Sequence, residues 1–469
     1  MNRNSVAGIG LLGKSFWRTL LPLALPIALQ NLLMTSFRLV DTLMIGTLGD
    51  VSIAAVGLAG QASFLVELVA FGMASGSAVF IAQFHGAGDI DGIHRAFGAT
   101  LLFGLPFGLV AAVVCFAFPD RVMALLTDDP ALIAEGARYL TYACWSYLSL
   151  AVFQSMCTTL RSTEQVRLPV SSSAICAVAN AAFNYVFIFG FAGLAPMGVA
   201  GAGLATAITS ALNPLIMYLA SRAQRNILIA PWKKLFDLRG FLGTYWRRVL
   251  PVLCNELLWS LSIVGLNMVL GRMGTENYAA LTVVRTVENI VFVFFVGICN
   301  ACNILVGKRI GEGDIEGAKL ASRQFLWLVP VFGVVLGALV VALRSPVLSL
   351  FEMSDAAREA AMVMLLVYAA DVSIRNVPYL CVVGIFRAGG DTRFGLIGDV
   401  AVNYGLVLPA VLLCGRVLDV SFLLTYVVML AVDDAGKLIL YLPRFRSMKW
   451  IQPVADGARG QAGLADGAA

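Results

Sequence analysis

Apolar residues fall into long blocks along this chain, separated by short polar stretches. The first block, RTLLPLALPIALQNLLMTSFRLVDTLMIG, is long enough to cross a bilayer, which takes about 20 predominantly apolar residues. Similar blocks recur to the far end and predict twelve helices, at 19–45, 52–77, 94–118, 133–157, 166–189, 199–221, 246–271, 279–306, 322–344, 358–384, 395–415 and 420–442. Those after 133 and 358 begin amphipathically. Hydrocarbon offers an open backbone no hydrogen-bond partner, so only helices and closed barrels span it. The alternating ten-residue strands of a barrel are absent, and the pattern points to an all-α polytopic membrane protein.

Composition agrees. Of 469 residues 59% are hydrophobic and only 13% charged, where soluble chains carry about 25% charged residues. A soluble domain with a single anchor is excluded. The run after Arg18 continues past the length of a signal h-region, so no secretory leader is read here. Nine cysteines, all inside apolar runs, read as small buried hydrophobes; Cys299-x-x-Cys302 has no second pair to make a metal or redox site.

The formal charge is only +5, and its placement says more than its size. Taken alternately from the N-terminus, one set of loops holds Arg3, Lys14 and Arg18, then Arg95, Arg161 and Arg167, a run of basic residues between 222 and 248, Lys308 and Arg309, Arg387 and Arg393, and finally Arg444, Arg446 and Lys449. The other set is poor in Lys and Arg and carries Asp50, Asp120, Asp128, Asp129, Glu276, Glu352, Asp355 and Asp419. The positive-inside bias then puts both termini and the middle connection in the cytoplasm. The connection SRAQRNILIAPWKKLFDLRGFLGTYWRR reads either as a plain basic linker or as a contact for anionic lipid. Nothing in it indicates nucleic-acid binding. The tail after Met448 is Gly/Ala-rich and reads as flexible.

The two halves repeat. SFWRTLLP (15–22) resembles TYWRRVLP (244–251), and Pro26/Pro251, Gly46/Gly271, Gly49/Gly274, Gly86/Gly311, Gly88/Gly313 and Asp89/Asp314 are each 225 positions apart. Arg161/Arg387 and Arg167/Arg393 follow at 226. Six helices repeated once give two pseudo-symmetric six-helix lobes related by an axis along the membrane normal. The expected division is an N-lobe at 1–221, a linker at 222–245, a C-lobe at 246–448 and a tail at 449–469. Rocking of two such lobes gives alternating access.

Ionisable and amide side chains inside the apolar blocks are costly, so each is a functional candidate by default. Asp41 leads. Its repeat counterpart is Leu266, so the shared scaffold does not demand it. It reads either as a structural carboxylate paired with Arg38 or as an ion- or proton-binding group. Asn180 and Asn184 are four apart and share a helix face, offering oxygens to a cation; Thr206 adds a hydroxyl. Their plain alternative is polar glue between helices. Gln30, Asn31 and Glu67 are weaker candidates. In the second half Glu256 has no same-helix partner, with Trp259 nearby, and an acid beside a ring suits an organic cation. Asp371 and Asn376 complete that group, although Asp371 and Arg375 also stand four apart and can pair with each other.

The chain resembles the multidrug and toxic compound extrusion (MATE) family of cation-coupled antiporters. LPLALPIALQNLLMTSFRLVDTLMIGTLGDVSIAAVGLA, IAQFHGAGD, LRSTEQVRLPV, NAAFNYVFIFG, GVAGAGLATAI, VGKRIGEGD and FRAGGDTR carry the resemblance over nearly the whole chain. It implies a twelve-helix membrane exporter of cationic or hydrophobic compounds in exchange for sodium ions or protons. The family's first-helix Asp falls on Asp41, and the Asn pair of its NorM-like branch falls on Asn180 and Asn184. The second half departs from the pattern: the seventh-helix Glu lies about a turn further from the helix's Pro than Glu256, and the tenth-helix Asp falls nearer Asn376 than Asp371. The expected function is a multidrug antiporter working as a monomer, with no cofactor beyond the coupling ion, a sodium ion or a proton. The alternatives are a lipid-linked precursor flippase, which would want a cationic cavity, and a membrane enzyme or structural protein. His85 and His94, both near a loop, supply no catalytic set, so no enzyme is expected.

Overall fold

The computed structural model describes residues 13–454, apart from 192, 352 and 419. Arg3, Glu352, Asp419 and the tail beyond 454 lie outside the described residues. In chain order the first half is α1 (Lys14–Gly46), α2 (Asp50–Gly86), α3 (Ile90–Ala117), a short α4 (Pro119–Ala124), α5 (Pro130–Ala143), α6 (Ser146–Ser162), α7 (Arg167–Phe189) and α8 (Val199–Gln224). A four-residue α9 (Trp232–Leu235) lies in the connection. The second half is α10 (Leu242–Leu270), α11 (Thr275–Gly311), α12 (Ile315–Leu348), α13 (Asp355–Tyr379), α14 (Arg387–Gly389), α15 (Thr392–Val402), α16 (Leu408–Leu412) and α17 (Phe422–Arg446). Among the described residues three π-helical stretches lie within or at the ends of the later helices. One has a clear cause: Pro409 withdraws the N–H that would bond the Gly405 carbonyl, and the helix widens to a π turn over Asn403–Val407.

Among the described residues ten helical stretches are long and apolar enough to cross a membrane. The two remaining expected spans differ from the apolar pattern for visible reasons. The segment expected at 133–157 is two helices with a break at Cys144–Trp145. The segment expected at 420–442 is the single helix α17, with Asp433, Asp434 and Lys437 in its middle.

The repeat recurs in local chemistry. Gly49 (φ 109°) and Gly274 (φ 127°) open α2 and α11 in a backbone region that only glycine adopts freely. Asp89 and Asp314 cap α3 and α12, accepting from the Gly92 and Gly317 amides at 2.8 and 2.9 Å, which satisfies donors a helix start leaves orphaned. Glu164 and Gly390 both take positive φ after the Arg161 and Arg387 turns.

Packing divides the described chain into two compact units. One is Leu29–Val249; the other joins the stretch up to Ala28 to everything from Leu250 on. The dividing points lie inside α1 and α10, so the first turns of each belong with the other half's helices. In the second unit Phe16 meets Phe325 edge-on at 5.3 Å. In the first, Tyr245 stacks near Phe80 (5.9 Å) and shares a 3.0 Å hydroxyl contact with Thr100.

Each unit is also clamped by an arginine, half-buried in the first and buried in the second. In the first, Arg161 donates to the Gln30 carbonyl at 2.6 Å, while the Gln30 amide donates to Ser173 at 2.7 Å. In the second, Arg387 donates to Glu256 at 2.6 Å and to Asn255 at 3.2 Å. Gln30 and Asn255 are themselves repeat partners, 225 apart. The Glu256–Arg387 side chains are only 12% and 3% exposed. Removing one member of such a pair leaves a buried charge unanswered and costs about 3–5 kcal/mol.

Small residues set the closest helix contact of the second unit. Gly333 and Gly337, a G-x-x-x-G on α12, let the α13 backbone approach until an added Cβ would stand 2.5 Å from the Ser373 Cα and 2.3 Å from the Ala369 carbonyl oxygen.

Two measurements check these packing arguments. Gly337→Val is expected to destabilise by about 1–3 kcal/mol or more through overpacking, seen as a lower melting temperature in detergent. Gly60→Ala, whose Cβ meets nothing within 4 Å, leaves it unchanged or raised. Arg387→Gln is expected to destabilise by roughly 3–5 kcal/mol, as a broken buried pair does, and so to lower the melting temperature, and adding Glu256→Gln to recover part of the loss. Equal melting temperatures for parent and Arg387→Gln would show that the clamp carries no stability.

Candidate functional site

In the first unit three helices bring together the polar groups that the apolar pattern leaves expensive. Asp41 lies five residues before the end of α1, and Asn180 and Asn184 sit on one face of α7 as their spacing requires. Asn184 is 1% exposed and donates through Nδ2 both to the Asp41 carboxylate and, at 3.2 Å, to the Asn180 carbonyl oxygen. Asn180 passes the chain on, donating to the Thr209 hydroxyl of α8 at 3.2 Å. The result is a relay of amides with one carboxylate at its end. The Asn184 carbonyl oxygen is buried without a donor. A buried acceptor without a donor, on the amide that holds a carboxylate, is what a cation or a proton satisfies.

Arg38 does not answer Asp41 by hydrogen bond. Its guanidinium instead grips both oxygens of Glu67 on α2, at 2.7 and 2.6 Å. That ion pair accounts for Glu67.

Thr206 is not a member of the relay. Its hydroxyl donates back to the Ala202 carbonyl at 3.0 Å, and Thr209, three residues on and on the same face, takes the place next to Asn180. Tyr139 of α5, which the sequence does not single out, lies close to Thr206 and Asp41. Helical spacing could have offered Thr209 as an alternative to Thr206. No periodicity singles out Tyr139, because its helix is amphipathic for other reasons.

In the second unit the four candidates do not converge. Glu256 is held by Arg387 in the clamp described above. The Asn255 amide beside it donates to Asp399 at 2.7 Å, and Tyr441 donates to the other Asp399 oxygen at 2.6 Å. Trp259 is 39% exposed. Asn376 is buried and turned back on its own helix, donating to the Val372 carbonyl at 3.2 Å. Asp371 stands apart from these three, with Arg375 at 3.7 Å. Among the described residues no cluster of His, Cys, Asp and Glu of metal-site size is present. His94 bonds the Ile227 carbonyl at 2.9 Å.

Comparison with known proteins bears on the family and the fold. The MatE family model matches residues 26–186 and again 251–411, two stretches related by the same 225-residue offset as the glycines and prolines of the repeat. Among curated relatives, a probable multidrug resistance protein NorM of Bradyrhizobium diazoefficiens is 28% identical over 409 residues, covering 82% of this chain and 84% of the relative. One from Mesorhizobium japonicum is 24% identical, covering 84% and 85%. Among solved structures, an outward-facing multidrug resistance MATE family transporter of the MOP superfamily superimposes with a TM-score of 0.83 at 17% identity, over 92% of this chain and 96% of that one. The two family matches together take in more than half of the chain, and the chain belongs to the MatE family, the multidrug and toxic compound extrusion transporters.

Proposed function

We propose that this protein is a secondary antiporter that exports organic cations or hydrophobic drugs by alternating access, in exchange for sodium ions or protons bound at Asp41, Asn180 and Asn184. Membership of a transporter family means that it is not an enzyme. The observation that carries the coupling role is the contrast between Asp41 and the acids that an arginine answers. Glu67 and Glu256 are answered by arginine, whereas Asp41 is answered by an amide. An amide orients a carboxylate without neutralising it, so the charge stays available for a cation.

The twelve-helix, two-lobed arrangement is the scaffold of this reading: α5 with α6 supplies the fourth span and α17 the twelfth. The lobes are taken as 1–221 and 246–448 around the 222–245 linker, with 449–469 as the tail. Positive-inside bias supports cytoplasmic termini in a bacterial inner membrane. One chain is the working unit, because the Asp41 site is complete within a single unit. Asp371 is the second-unit acid placed to contribute. Glu256, Trp259 and Asn376 shape the surroundings of the drug path, Glu256 through its hold on Arg387.

In liposomes, the parent is expected to drive efflux of ethidium, an organic cation, under an imposed sodium gradient, a proton gradient or both; the gradient that works identifies the ion. Asp41→Asn is expected to lower efflux to the rate of protein-free liposomes. Asn184→Ala removes a hydrogen bond to a charged group, worth roughly 1.5–3 kcal/mol, and is expected to slow efflux about tenfold or more. Undiminished efflux in Asp41→Asn would contradict the coupling role.

A further inference from the structure

The connection that follows α8 is not a loose tether, because its inward side is pinned to the first unit. The Asn226 amide donates to the Ser221 hydroxyl at 3.0 Å, and its carbonyl accepts the Leu228 N–H at 3.1 Å. His94 of α3 bonds the Ile227 carbonyl at 2.9 Å. Leu228, Leu235, Leu238 and Phe241 are buried, the first two in a cluster with Phe97 of α3 and Met217 of α8. α9 lies so close to α3 that a Cβ on Gly98 would collide with the Leu235 carbonyl oxygen.

That contact sets the depth of the segment. With 28 residues, α3 is about 42 Å long, close to the thickness of a bilayer with its headgroups, of which about 30 Å is hydrocarbon. Gly98 lies about 12 Å along it from Ile90. α9 therefore rests beside α3 near the boundary of headgroups and hydrocarbon.

The outward side carries what such a boundary takes. Trp232, Phe236 and Ile229 are 75%, 40% and 38% exposed, and the two rings stack at 5.9 Å with their planes 7° apart. A residue advances about 100° around a helical turn, which sets Lys234 roughly opposite both rings. Lys234 reaches Asp91, in the first turn of α3, at 2.8 Å, so the rings point the other way, toward the apolar body of α3. Charge is just as one-sided: between 222 and 248 the chain has seven basic residues and a single acid, Asp237. Arg222, Arg225, Lys233 and Arg239 are exposed. Of these four and Lys234, only Lys234 has an ion-pair partner among the described residues.

We infer that this segment is a docking surface for anionic phospholipid. Trp232, Phe236 and Ile229 enter the headgroup boundary, where amphipathic rings are favoured, and Arg222, Arg225, Lys233 and Arg239 hold the negatively charged headgroups. A zwitterionic surface would satisfy the rings and leave the charge unanswered. A plain linker would need neither the pinned backbone nor the outward rings.

Tryptophan fluorescence tests the surface on the full-length protein, in phosphatidylcholine liposomes doped with brominated phosphatidylglycerol or with the same fraction of brominated phosphatidylcholine. The Trp232 contribution is the difference between the parent and Trp232→Phe. Both lipids are expected to quench it, the anionic one roughly fivefold more strongly, the enrichment that one Lys or Arg gives at an anionic surface. The difference between the lipids should disappear when Arg222, Arg225, Lys233 and Arg239 are all changed to Gln. It should also disappear in the parent at about 1 M salt, where charges are screened beyond about 3 Å. Both leaflets carry the same lipid, so the result depends neither on the orientation of the chain nor on the coupling role of Asp41. Absence of quenching by either lipid, as on a face that stays in water or is covered by protein, would overturn the inference. So would equal quenching by both lipids in the parent, or a preference for the anionic lipid that survives the fourfold change.

Discussion

A bilayer interior supplies neither water nor counter-ions, so every ionisable side chain in a span must be satisfied by another part of the protein. That one constraint sorts the acids of this chain. Glu67 meets Arg38, Glu256 meets Arg387, and Asp399 is held between Tyr441 and the Asn255 amide. Among the described residues Asp41 meets only the Asn184 amide by hydrogen bond. Acids that have found an arginine, or like Asp399 a donor for each oxygen, belong to the framework, and the acid held by one amide alone keeps its charge for something that arrives and leaves.

The internal repeat explains why such a difference can exist. The framework is duplicated: the capping aspartates, the positive-φ glycines and the two arginine clamps recur at nearly constant offset. The chemistry is not. Leu266 stands where Asp41 stands in the other half, and Glu256 stands where Asn31 does. A duplicated framework tolerates this divergence because each unit satisfies its own buried polar groups, by Arg161 on Gln30 in one and Arg387 on Asn255 and Glu256 in the other.

Most of the architecture was legible before any coordinates, because apolar blocks of helical length have only one backbone solution in hydrocarbon. The repeat was legible because glycines, prolines and aspartates at fixed offsets mark turns and caps that the backbone cannot do without. The Asn180–Asn184 face followed from helical spacing. Three things did not follow. The partner of Glu256 is 131 residues away on a different helix, and periodicity describes one helix at a time. The break at Cys144–Trp145 leaves no Pro or Gly signal. The choice of Thr209 over Thr206 depends on which hydroxyl bonds back to its own helix, a matter of rotamer and packing that both residue types allow equally.

The central claim is that Asp41, held by an amide and not by a cation, is where the coupling ion is exchanged for substrate. The most direct test omits any gradient. Purified protein in weakly buffered detergent, with ethidium added, is followed with a pH dye and a sodium-selective electrode. The account predicts that ethidium releases protons or sodium ions from the parent and that this release is lost in Asp41→Asn. Release of the same amount from both proteins would contradict it.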